Sequence, residues 1–167
     1  ESFVENGKTG FKDKRTKAVV IAPVYDNTYP SFSEGYAAVQ KNGKMGYIDT
    51  RGNVIIDFKY ESAYSVTEGL AAVEVKGKYG FINLKGEPVT AFKYDNCYSF
   101  SEGLAQVEYN GKWGYINQTD KVVIPIKYDK GRDFEKGLAA VELNGKYGCI
   151  DKLGNVVIPI KYDNWVS

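Results

Sequence analysis

Carboxylates recur at fixed intervals along this 167-residue chain, and because it holds no histidine they are its main candidates for acid–base chemistry. Glu34, Glu68 and Glu102 each precede a glycine, while Asp26, Glu61, Asp95, Asp129 and Asp163 each follow a tyrosine. A catalytic pair needs two dissimilar environments that drive its pKa values apart. Acids repeated at one interval occupy equivalent environments, so they are expected to accept backbone N–H bonds in turns or to pair with Lys59, Lys93, Lys127 and Lys161. An enzyme using paired carboxylates is the least favoured reading, and no catalytic residue is assigned. No D-x-D-x-D-G loop supports calcium, and two cysteines without histidine cannot build a standard structural zinc site. Cys97 and Cys149 occupy different slots of the pattern, which argues against a disulfide, and Cys149 reads as a small buried hydrophobe. No metal or cofactor is expected. The recurring Gly-Lys pairs lack the Walker pattern and sit in hairpin turns, with no helix N-terminus behind them.

Recognition chemistry is a better match to the connectors. The fourth position after each landmark tyrosine holds Tyr29, Tyr64, Tyr98 and then Arg132. Tyr and Arg give large contact area with polar tips at modest entropic cost, so such a row suits an extended partner. The alternative is that each tyrosine merely packs over its neighbour's sheet edge. Trp165 and Val166 make the C-terminal edge apolar, and that edge is expected to meet another repeat, another domain or a second molecule.

These residues are positioned by a repeat. Gly46, Gly80, Gly114 and Gly148 lie 34 residues apart, with Gly10 in the same slot 36 residues earlier. Around each lies a relative of NGKWGYIN (110–117), and SEGYAAV (33–39), TEGLAAV (67–73), SEGLAQV (101–107) and EKGLAAV (135–141) recur in phase. LAAVEV (70–75) alternates as a strand does, Asn-Gly or Lys-Gly predicts a two-residue hairpin turn, and YGFIN (79–83) predicts the return strand. A third apolar segment such as VVIPIKY (156–162) contains Pro125 or Pro159 in two copies, placing it at an edge or a bulge. Both strand faces carry apolar residues, so neighbouring units must cover them. The expectation is a single all-β domain over 1–167: a tandem, elongated and twisted array of three-stranded antiparallel meanders, with repeats near 1–34, 35–68, 69–102, 103–136 and 137–167. A closed five-bladed β-propeller is the alternative. Within this frame Trp113 reads as a larger occupant of a slot also filled by Met45, Tyr79 and Tyr147.

The KxGYI core (112–116 and 44–48), the EGLA landmark and the IPxKYD ending (124–129 and 158–163) resemble the bacterial WG-repeat family, also called KWG repeats. Only Trp113 carries the namesake tryptophan, and the first copy departs most, with Val24 and Lys12 in place of the usual Lys and Ile. The resemblance implies a β-rich repeat module of larger bacterial proteins, and it brings no catalytic residues.

Composition narrows the partners. Twenty-two basic against 21 acidic residues leave no basic stripe for nucleic acid, and no apolar run approaches the roughly 18 residues of a membrane-spanning helix. The expected function is a non-enzymatic protein-interaction or scaffold module, with a protein partner or self-association, and a cell-surface glycan-binding module as the alternative. A bacterial secreted or cell-surface setting is favoured, though the chain begins at Glu1 without methionine and its compartment stays open.

Overall fold

The computed structural model describes residues 1–29 and 31–164, and the described residues contain strands, turns and bends but no helix. Alternation and turn chemistry build each unit. Strands β5 (Tyr36–Lys41) and β6 (Lys44–Asp49) pair through Asn42-Gly43, both at positive φ, as a two-residue primed turn requires. The same hairpin joins β1 (Ser2–Glu5) to β2 (Lys8–Lys12), β8 (Leu70–Val75) to β9 (Lys78–Asn83), β11 (Leu104–Tyr109) to β12 (Lys112–Asn117), and β15 (Leu138–Leu143) to β16 (Lys146–Asp151).

The third segment forms β3 (Val19–Tyr25), β7 (Val54–Tyr60), β13 (Val122–Tyr128) and β17 (Val156–Tyr162). Each is the edge of its sheet and pairs with a shifted register. That geometry admits Pro125 and Pro159, whose missing N–H would break a central ladder. In the middle repeat this segment makes only isolated bridges, at Ile82–Pro88 and Tyr79–Tyr94. There Thr90 takes the slot of Ile56 and Ile124, and its Oγ1 accepts the Phe81 N–H at 2.8 Å.

Apart from the two-stranded β8-β9 sheet of the middle repeat, the meanders are as expected, with one addition. The connectors contribute two-residue strands β4 (Asn27–Thr28), β10 (Asn96–Cys97) and β14 (Lys130–Gly131), so three sheets have four strands, in the orders β4-β5-β6-β7, β10-β11-β12-β13 and β14-β15-β16-β17. A connector thus leaves one sheet and begins the next.

Both faces of each inner sheet are used. Ala71 and Val73 pack with Tyr47, Ile56 and Tyr60 of the preceding sheet, while Leu70, Ala72 and Phe81 pack with Tyr94, Phe100 and Val107 toward the following one. Among the described residues, four such clusters lie between the five sheets, which form an open series of antiparallel units and no closed barrel. Cys97 and Cys149 are free and buried, and burial pushes the Cys97 thiol up to about 12.

Candidate functional site

The periodic carboxylates have structural work. Asp26, Asp95, Asp129 and Asp163 each take the Nζ of a Gly-Lys lysine, respectively Lys8, Lys78, Lys112 and Lys146. The second oxygen of Asp26, Asp95 and Asp129 accepts a backbone N–H from the next sheet's hairpin turn, at Gly43, Asn110 and Asn144. Glu61 joins Lys44 to the Lys76 N–H in the same way. The lysine bonds first, then the turn N–H groups, hold Asp95 and Asp129 below the ordinary aspartate value of 3.8.

Lys59, Lys93, Lys127 and Lys161 are therefore not the partners of these acids. Each instead lies over the ring of the tyrosine that follows it, 5.0 to 5.6 Å from the centroid. Lys93 also meets Asp120, a residue outside the expected set, at 2.9 Å.

The glutamates of the second landmark form another inter-repeat series. Glu34 accepts from the N–H groups of Glu68 and Gly69 at 2.7 and 2.9 Å, Glu68 from Gly103 at 3.0 Å, and Glu102 from Gly137 at 2.9 Å. Asp13, Asp49, Asn83, Asn117 and Asp151 accept N–H bonds of the turns that follow them. Among the described residues no three Cys, Asp or Glu side chains are grouped to hold a metal.

The connector row divides. Tyr29 and Tyr64 have ring centroids 5.9 Å apart, and Tyr64 continues to Tyr79 at 6.0 Å. Tyr29 is 37% exposed, whereas Tyr64 is half-buried, and burial raises its phenol pKa well above the ordinary 10. Tyr98 meets Trp113 instead, at 5.5 Å. Arg132 is exposed, with its carbonyl accepting the Tyr115 hydroxyl at 2.7 Å. Trp165 lies outside the described residues.

Two kinds of cleft open beside the connectors. One, of about 400 Å³, is lined by Asn27, Thr28, Tyr29, Gln40, Met45, Glu61 and Ser62. The other is a contiguous pair, about 330 and 390 Å³, sharing Tyr98, Gln106, Gly131 and Arg132, with Trp113 and Lys130 on one side and Asp133 and Glu135 on the other. These volumes are in the range of small-ligand sites.

Trp113 is thus both a member of a structural slot and a wall of a cleft. Gln106 is the residue that sequence reasoning missed. The signal was present, since alanine holds the matching position in SEGYAAV, TEGLAAV and EKGLAAV.

Comparison with known proteins agrees with the fold. The chain is similar to Kluyveromyces lactis Hsv2p (12% identity, TM-score 0.60, 93% of this chain and 58% of that one). A variant of the same Hsv2, with loop 6CD replaced by a Gly-Ser linker, matches at 9% identity and TM-score 0.58, over 93% and 60% of the two chains. PorZ of Porphyromonas gingivalis, a surface component of the type-IX secretion system, gives 9% identity and TM-score 0.51, over 95% of this chain and 24% of PorZ. The chain spans about three fifths of the length of the Hsv2 structures, which match it only in part and do not favour a closed propeller over the open array. No curated protein matches by sequence. The model for the WG containing repeat matches residues 10–44, 45–79, 79–113, 113–147 and 147–164 in succession, and the chain belongs to that family.

Proposed function

We propose that this chain is a non-enzymatic interaction module of a bacterial protein, binding a protein partner along the face formed by its connectors. The observation that carries the proposal is the run Tyr29–Tyr64–Tyr79 beside the Met45 cleft. Aromatic rings and a methionine there flank polar Asn27, Gln40 and Ser62, the mixture that protein interfaces favour. Engagement of the periodic acids by lysines and turn N–H groups supports the non-enzymatic part, because it occupies the groups acid–base chemistry would use.

Exposed Tyr29 is the residue to test. Tyr29→Ala should reduce cross-linked capture of a cellular protein about tenfold relative to the unchanged chain, with Tm preserved. Equal capture by the two chains, or a large fall in Tm, would make Tyr29 a packing residue and remove the proposal.

A further inference from the structure

A repeat protein carries its own controls, since a slot filled alike in every copy reports on packing and a departure from it needs another cause. Departures gather where the β10–β13 sheet meets the β14–β17 sheet. Gln106 stands where other copies have Ala38, Ala72 and Ala140, and Gly131 where they have Thr28, Ala63 and Cys97. Arg132 replaces the connector tyrosine, and Trp113 is the bulkiest occupant of a slot that also varies among Thr9, Met45, Tyr79 and Tyr147. All four line the paired cleft, with Tyr98 and Asp133.

Gln106 is the informative departure. It is only 4% exposed; its amide nitrogen donates to Asp133 Oδ1 at 2.7 Å, and its buried Oε1 has no partner among the described residues. An acceptor buried without a donor is unfavourable. The equivalent alanines show that the fold does not require it. Gly131 lies beside it and is crowded by Tyr115: a Cβ there would lie 2.6 Å from Tyr115 Oη, and in ordinary contact, 3.4 Å, with Gln106 Oε1.

We propose that this junction binds a neutral saccharide, with the ring's C–H face against Tyr98 and Trp113 and its hydroxyls shared among Gln106, Asp133 and Arg132. The lining chemistry selects this class. Asp129, Asp133 and Glu135 oppose an anion while Lys130 and Arg132 oppose a cation, so a charged ligand meets repulsion from one set. A polyol donates to the Gln106 and Asp133 oxygens, accepts from Arg132, and presents an apolar face to the two rings. This site goes beyond the protein-binding reading and uses none of the residues that carry it, so either can fail alone.

The test is a titration of the whole chain, followed by tryptophan fluorescence and calorimetry. The probes are methyl glycosides of glucose, galactose, mannose and N-acetylglucosamine, and their 1,4-linked disaccharides; a glycan array extends the set. At least one should saturate. Saturation by a monosaccharide indicates a free sugar, and saturation only by longer chains a polymeric glycan.

Gln106→Ala should weaken that binding about tenfold while Tm stays level or rises, because the substitution removes the orphaned acceptor. Should packing suffer, Gln106→Ala with Gly131→Ala rebuilds the Ala38 and Ala63 arrangement of an earlier junction and carries the same expectation. Failure of every neutral saccharide to saturate, saturation by peptides instead, or unchanged binding in both variants would overturn the proposal.

Discussion

Single residues in this array are shaped by the neighbouring repeat. Glu34, Glu68 and Glu102 adopt φ of 50 to 54°, a region that side chains rarely enter, and each reaches a turn of the next repeat from there. The residue before those glutamates makes a second link. Ser33 and Ser101 donate to the carbonyls of Val66 and Phe134, 2.6 and 2.7 Å away. Thr67 occupies the same position, yet its hydroxyl is buried with no partner among the described residues. Thr67→Ser should free the hydroxyl to reach the Phe100 carbonyl, the equivalent acceptor, and stabilise the chain by about 0.5–1.5 kcal/mol in denaturant unfolding. An unchanged or lower midpoint would show that the threonine methyl contributes more by packing than the hydroxyl loses.

At the scale of the elements, the glycine of the WG motif sets how closely the third strand approaches the hairpin. A Cβ on Gly114 would lie 2.7 Å from both Ile124 O and Ile126 Cα, main-chain atoms that cannot turn aside. Gly10, Gly46 and Gly148 are crowded by main chain in the same way, whereas a Cβ on Gly80 would meet the Phe92 ring first, at 2.8 Å. Gly114→Ala should therefore separate β12 from β13 and cost about 1–3 kcal/mol in denaturant unfolding, and a neutral result would mean that the strands slide freely. The hairpins were legible in sequence because turn and strand chemistry are local. The short strands β4, β10 and β14 were not, since their pairing depends on where a connector comes to rest against the next repeat rather than on its own residues.

Across the whole molecule, the acids tie consecutive sheets together, and their protonation acts on every junction at once. Asp26, Asp95 and Asp129 are held below 3.8 first by their lysine bonds and then by turn N–H groups. A depressed carboxylate pKa gives stability that is complete above the unfolded value and is lost as pH falls through the folded one. Tm should accordingly hold from neutral pH down to about pH 5, then drop steeply below about pH 4, with added salt flattening the change because these groups are exposed. A Tm independent of pH between 5 and 2 would exclude the acids as ties.

The last of the described repeats differs from the others. Tyr162 is 42% exposed where Tyr25, Tyr60, Tyr94 and Tyr128 are 1 to 4% exposed. Lys136 stands where glutamates serve the other junctions, so it cannot accept the next turn's N–H groups.

By itself the sequence determined the all-β class, the period of 34, the hairpins and the edge placement of the prolines, because spacing and turn chemistry act over a few residues. Tertiary structure alone decided which lysine each acid meets, how the connector tyrosines divide, and that Gln106, Gly131, Arg132 and Trp113 share one cleft. The acid–lysine and ring pairs join residues 15 to 35 positions apart and the cleft joins two successive sheets, relations made by the stacking of one sheet on the next, which a local pattern does not encode.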